Sequence, residues 1–208
     1  MKDRVKMRIP CTGVILSGGL ATRFHGRDKA LMRINGKRIL DRIYGVLKDI
    51  FDEIILVTND PLQFLEWDLN IVTDLFDVRS SLTGIHAGLF YAEHPYTFVT
   101  ACDAPFIKRE LIETILAGIE AKTDIVMPET SAGREPLCAV YSKRCLLPAE
   151  QHVKQKKLKI QWAFRRCRIK IISEKTLRTK DPDLISFFNI NTPQDLERAE
   201  QIAKKINR

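Results

Sequence analysis

The 208 residues carry 34 Lys and Arg against 26 Asp and Glu, a formal net charge of +8, and 45% are hydrophobic. That balance excludes a disordered chain and gives a globular protein enough length to bury a core. No apolar run approaches the roughly 20 residues of a membrane span, and Met1 to Lys6 have no apolar signal core behind them, so a cytoplasmic protein without a membrane partner is expected. The five cysteines form no Cys-x-x-Cys pair, which argues against a disulfide framework or structural zinc. The positive charge invites a polyanionic partner without choosing one.

In chain order, Gly13-Val14-Ile15-Leu16 reads as a buried strand running into Ser17-Gly18-Gly19, with Arg23, Asp28 and Lys29 beyond. A glycine pair there lets backbone N–H groups converge on an anion without Cβ interference, and two nearby cations can neutralise a polyphosphate. The spacing fits neither a P-loop, since Gly26 is followed by Arg27 and Asp28, nor the Gly-x-Gly-x-x-Gly fingerprint. A plain strand-to-helix turn is the structural alternative.

Asn35-Gly36 marks a tight turn between the Leu31 to Ile34 segment and a helix with Ile39, Leu40, Ile43, Val46, Leu47 and Ile50 on one face. Further strands are expected at Ile54 to Val57, Phe98 to Cys102, Ile125 to Met127, Leu137 to Tyr141 and Ile169 to Ile172. Helices are expected over Gly84 to Ala92, Arg109 to Ala121 and Pro193 to Lys205, the last opened by Thr192, Pro193 and Asp195. The alternation predicts an α/β chain: a Rossmann-like three-layer fold with a mostly parallel sheet and helices on both faces, in a single domain over residues 1–208.

Ligands of open α/β sheets bind outside the carboxyl ends of the strands, which here carry Ser17-Gly18-Gly19, Asn59-Asp60 and Asp103. Asp103, fixed before Ala104-Pro105-Phe106, suits Mg²⁺, an ion usually held by one or two carboxylates plus substrate phosphates; a helix cap near Lys108 is the alternative. Asp74 leads into a connection, Leu75 to Thr83, long enough to wall a crevice. Gly88 is assigned to close packing and His86 to structure, because no nucleophile motif accompanies it. The basic stretch Lys154 to Lys170, with Trp162 and Phe164, reads as a solvated face rather than a nucleic-acid surface, with a role in holding a phosphorylated second substrate left open. Together these groups fit metal-dependent nucleotidyl transfer, in which an ionised phosphate nucleophile requires no enzyme base.

Leu16-Ser17-Gly18-Gly19, Arg23 and Asp28-Lys29-Ala30-Leu31 resemble the signature of the small nucleotidyltransferases, specifically the molybdenum cofactor guanylyltransferases. The similarity continues through Asn59, Asp74, Leu82-Thr83-Gly84-Ile85, Cys102-Asp103-Ala104-Pro105-Phe106, Pro136 with Ala139-Val140-Tyr141, and Asn189-Ile190-Asn191-Thr192-Pro193. The resemblance implies Mg²⁺-dependent transfer of GMP from GTP to molybdopterin with release of pyrophosphate. By it, Leu16, Ser17, Gly18, Gly19, Asn59 and Asp74 would contact the nucleotide, Arg23 and Lys29 its phosphates, Asp103 the Mg²⁺, and Asn189 and Asn191 the acceptor. Gly18 favours guanine, because related cytidylyltransferases usually read Leu-Ala-Ala-Gly. GTP and molybdopterin are the implied small-molecule partners, with cofactor-delivery or acceptor proteins beside them. The alternatives are CTP or another phosphorylated acceptor in the same chemistry, or a non-catalytic nucleotide- or nucleic-acid-binding protein. The chain departs from the family pattern at Ser17, Phe24-His25, Ser80-Ser81 and Glu135.

Overall fold

The computed structural model describes residues 10–18 and 28–206. Its strands are β1 (Cys11–Ser17), β2 (Arg33–Ile34), β3 (Lys37–Arg38), β4 (Ile54–Thr58), β5 (Asn70–Val72), β6 (Tyr96–Ala101), β7 (Ile125–Thr130), β8 (Gly133–Arg134), β9 (Cys138–Ser142) and β10 (Ile169–Ser173). Its α-helices are α1 (Ile39–Leu47), α2 (Ser81–Tyr91), α3 (Arg109–Leu116), α4 (Leu146–Lys154), α5 (Ile160–Ala163), α6 (Glu174–Arg178) and α7 (Pro193–Ile206).

β1 is buried at every position, which a strand covered on both faces must be. Its side chains alternate: Cys11 and Ile15 enter a core with α1, α3, α6 and α7, whereas Val14 and Leu16 enter a second core with α2, α4 and α5. The sheet runs β10-β7-β9-β6-β1-β4-β5, with β8 hairpinned onto β7. All pairings on the path are parallel except those of β9, which is antiparallel to both β6 and β7. The three-layer, mostly parallel expectation is therefore met.

Several boundaries differ from the sequence reading. α3 ends at Leu116 rather than near Ala121, because Gly118 turns back to donate to the Ile115 carbonyl at 2.9 Å. α1 stops at Leu47, so Ile50 lies on the following turn. Asn35 and Gly36 have φ of 48° and 79°, the left-handed pair that closes the two-residue β2–β3 hairpin ahead of α1. α4 escaped detection because it contains Pro148 and buries only Ala149 and Val153.

α2 carries an unbroken buried run, Leu82 to Leu89, between the sheet and α4. A Cβ on Gly88 would stand 2.8 Å from Val14 Cγ1, a stiff β-branched side chain at the centre of the sheet. This supports packing as the role of Gly88. Overpacking costs about 1–3 kcal/mol and the better helix propensity of alanine returns about 1 kcal/mol, so Gly88→Ala should be net destabilising. A lower urea midpoint at unchanged slope is the expected reading.

The chain leaves β1 for β4 and β5, then returns through α2 to β6 on the other side of β1. That reversal opens a crevice at the carboxyl ends of β1 and β6. No helix among the described residues is long and apolar enough to cross a membrane.

Candidate active site

Ladder register fixes the floor of the crevice. Leu16 pairs with Val57 on one side and Ala101 on the other, so Gly18, Asn59 and Asp103 follow at neighbouring strand ends. The Cys102 N–H donates to the Leu16 carbonyl at 2.9 Å, extending the β1–β6 ladder one step and holding Asp103 at the edge. The Asp103 carbonyl then accepts from the Ile190 N–H at 2.9 Å, which docks the segment before α7 against the same edge.

Lys29 opens a single 3₁₀ turn, Lys29–Leu31, capped by Asp28, whose Oδ1 accepts from the Ala30 N–H at 2.8 Å. Its ammonium lies 3.3 Å from Asp103 Oδ2 and donates to Asn191 Oδ1 at 2.8 Å. Residues distant in sequence thus meet around one cation. Leu16, Gly18, Lys29, Asn59, Asp74 and Asp103 all line the same cavity. Ser17, 2% exposed, directs its hydroxyl to Asp28. Asn189 is exposed, and the fully buried Ile190 separates it from Asn191. Gly19 and Arg23 lie outside the described residues.

Asp103 does not cap α3. That helix starts after Lys108, whose N–H is taken by Ser186 Oγ at 3.1 Å. Ser186 is itself tied to Asp181, a fully buried carboxylate that accepts from the Ser186 N–H at 2.8 Å and pairs with Lys108 Nζ at 2.8 Å. Burial alone would raise the Asp181 pKa, but the bonds from Lys108 and Ser186 outweigh it and hold the group below its ordinary value. Sequence reasoning missed this clamp, which steadies the approach to Asn189 and Asn191, because a lone Asp in a loop gives no signal of its partners.

The metal implied by the sequence can be tested against these donors. Burial, reinforced by the Asp103 and Asp28 carboxylates, pushes the Cys102 thiol up to about 12, and the oxygen-bearing side chains Asp28, Asn59, Asp74 and Asp103 line the crevice. Among the described residues no group of three or more His, Cys, Asp or Glu side chains forms a metal cage. A carboxylate with phosphate oxygens supplied by a substrate is the coordination Mg²⁺ favours, and Asp103 fits it.

The MobA-like NTP transferase domain matches residues 13–168. The chain is 49% identical over 193 residues to a molybdenum cofactor guanylyltransferase of Desulfosudis oleivorans, covering 93% of this chain and 96% of that one. It belongs to this family of nucleotidyltransferases. A probable molybdenum cofactor guanylyltransferase of Natranaerobius thermophilus is 37% identical, over 93% of this chain and 97% of its own. The crystal structure of molybdopterin-guanine dinucleotide biosynthesis protein A from Archaeoglobus fulgidus superposes with a TM-score of 0.83 at 31% identity, covering 93% of this chain and 99% of that one.

Among the family motifs, Asn59 and Asp74 form a pair of their own. Asn59 Nδ2 donates to Asp74 Oδ2 at 2.9 Å, while Asp74 Oδ1 is buried with no hydrogen-bond partner among the described residues. Burial raises the Asp74 pKa against the opposing pull of Asn59, Arg79 and His86. A raised carboxylate pKa means the folded state favours the proton, so the group detracts from stability once it ionises above that pKa. Asp74→Asn should therefore raise the melting temperature at neutral pH, and the gain should vanish as acid protonates the wild-type side chain. A variant equally stable at every pH would refute this reading of Asp74.

His86 is 2% exposed between Phe76 and Phe90, with ring centroids at 5.0 and 6.3 Å, and burial lowers its pKa. It is a structural histidine packed under the crevice wall. In the basic stretch, Arg168 donates to Asp124 Oδ2 at 3.0 Å through its side chain and at 2.9 Å through its N–H, and Lys159 stands over the Trp162 ring at 5.0 Å. Arg165, Arg166 and Arg168 precede β10, whose direction follows β7, and so lie at the end of the sheet opposite the crevice. That placement removes them as holders of a second substrate there.

Proposed function

We propose that this chain, working as one nucleotidyltransferase domain in the cytoplasm, transfers GMP from GTP to the phosphate of molybdopterin and releases pyrophosphate. The observation that carries this reading is the Lys29 ammonium held between Asp103 and Asn191 at the switch point of the sheet. Its relatives in sequence, named as guanylyltransferases, support it.

In the reaction, an oxygen of the acceptor phosphate forms a bond to the α-phosphorus of GTP as the bond to the β-phosphate oxygen breaks in line. Negative charge grows on the departing pyrophosphate. Lys29 would meet that charge with its ammonium, the backbone from Leu16 through Ser17, Gly18 and Gly19 would cradle the nucleotide, and Arg23 would add a second cation. Asp103 would hold Mg²⁺, which supplies Lewis-acid neutralisation of the phosphates. Asn189 and Asn191 would orient the acceptor. Because Asn191 already touches Lys29, donor and acceptor sides would share one cation. Guanine offers a ring N–H and an amino group on one edge, and Asp74 Oδ1, without a hydrogen-bond partner among the described residues and with its carboxylate steadied by Asn59, would be the acceptor for that edge.

Pyrophosphate release measured with GTP, Mg²⁺ and molybdopterin tests the proposal, with a control lacking the pterin to separate transfer from hydrolysis. Release only with all components is expected, together with a melting temperature raised by GTP. Stabilisation by CTP but not GTP would reject the guanine assignment, and release without molybdopterin would reject the acceptor. Proteins that deliver molybdopterin or accept the dinucleotide belong to the same reading.

A further inference from the structure

We propose that Ser17 and Asp28 form a positioning pair that aims the Lys29 ammonium into the crevice, so that Asp28 acts on nucleotidyl transfer through Lys29; this rests on the role proposed above for Lys29. Ser17 is the last residue of β1, locked by its register with Thr58 of β4 and only 2% exposed. From that fixed point its hydroxyl reaches both oxygens of Asp28, each at 3.2 Å. Asp28 Oδ1 also accepts from the Ala30 N–H at 2.8 Å, closing the turn on which Lys29 rides.

Elementary mechanics explains why such a brace is needed. A single 3₁₀ turn has too few internal hydrogen bonds to fix its own orientation, and a lysine side chain has four rotatable bonds beyond it. Tying the cap to the end of the central strand transfers the rigidity of the sheet to the turn. The far end of Lys29 is then trimmed by Asp103 at 3.3 Å and Asn191 at 2.8 Å. Asp28 lines the same cavity as Lys29 and Asp103.

The test is a double-variant cycle on the full chain, read as pyrophosphate release with GTP, Mg²⁺ and molybdopterin. A displacement of about 1 Å in a positioned group can lower a rate on the order of 10²-fold, so Asp28→Ala should reduce kcat on that scale, with the KM for GTP little changed. Asp28→Asn keeps an oxygen for the Ala30 N–H and the Ser17 hydroxyl, so it should recover most of the loss and guards against a folding artefact. Ser17→Ala should lower kcat in the same direction by less. In a Lys29→Ala background, adding Asp28→Ala should change kcat by no more than about twofold, because the group being aimed is gone. An Asp28→Ala loss as large in the Lys29→Ala background as in the wild type would overturn the inference while leaving the function intact. A loss confined to melting temperature, with kcat preserved, would overturn it as well. Full activity of Lys29→Ala alone would instead remove the functional reading beneath it, so the two failures are distinguishable.

Discussion

Lys29→Ala is expected to slow pyrophosphate release by about 10²- to 10³-fold, the effect typical of deleting one preorganised electrostatic partner of a developing charge. The expectation comes from the state of the side chain before any substrate arrives. Its ammonium is already drawn into the crevice by Asp103 and Asn191, with the side chain 23% exposed. Little reorganisation is then required when charge builds on the leaving group. Because the interaction strengthens as the bond breaks, the loss should fall on kcat more than on the KM for GTP. Single-turnover measurements would separate the two. A rise in KM with kcat intact would show that Lys29 only helps to bind the triphosphate.

Asp103→Ala should bring Mg²⁺-dependent turnover to background, and added Mg²⁺ should not restore it. Asp103 stands one step past the β6 ladder, its carbonyl fixed by Ile190 and its carboxylate facing the cavity. With its alternative role as a cap for α3 excluded because that helix is capped at Lys108 without a side-chain hydrogen bond, the side chain has no structural duty at that helix. The variant should therefore fold with a melting temperature near that of the wild type. An unaltered Mg²⁺ activation curve would refute metal binding by Asp103. Asp103→Asn sharpens the comparison, since it keeps the shape and an oxygen acceptor for Lys29 while removing the charge a divalent ion requires.

Much of this was legible in the sequence because buried parallel strands leave continuous apolar runs, and the residues just past them reveal which polar groups share an edge. Gly18, Asn59 and Asp103 were found in this way. The direction of β9 was not legible: Cys138 and Val140 face one core and Ala139 and Tyr141 the other, and an apolar run reads alike in either direction. Nor did the motif that contains Asp28 reveal it as a cap, since a cap is recognised only when the turn it closes and the hydroxyl that holds it are both located. Pro148 concealed α4, and Gly118 shortened α3 without marking the exact last residue.

The bond from Lys29 to Asn191 spans 162 positions of the chain. During synthesis β1 and its neighbours leave the ribosome long before Asn191 is made, at a pace of about 5–20 residues per second. The nascent protein can bury most of its sheet while its reaction centre still lacks a wall. Competence would thus arrive late and abruptly, as Asp195 accepts from the N–H groups of Asn191 and Thr192 at 3.0 and 2.9 Å and α7 closes onto a scaffold already built.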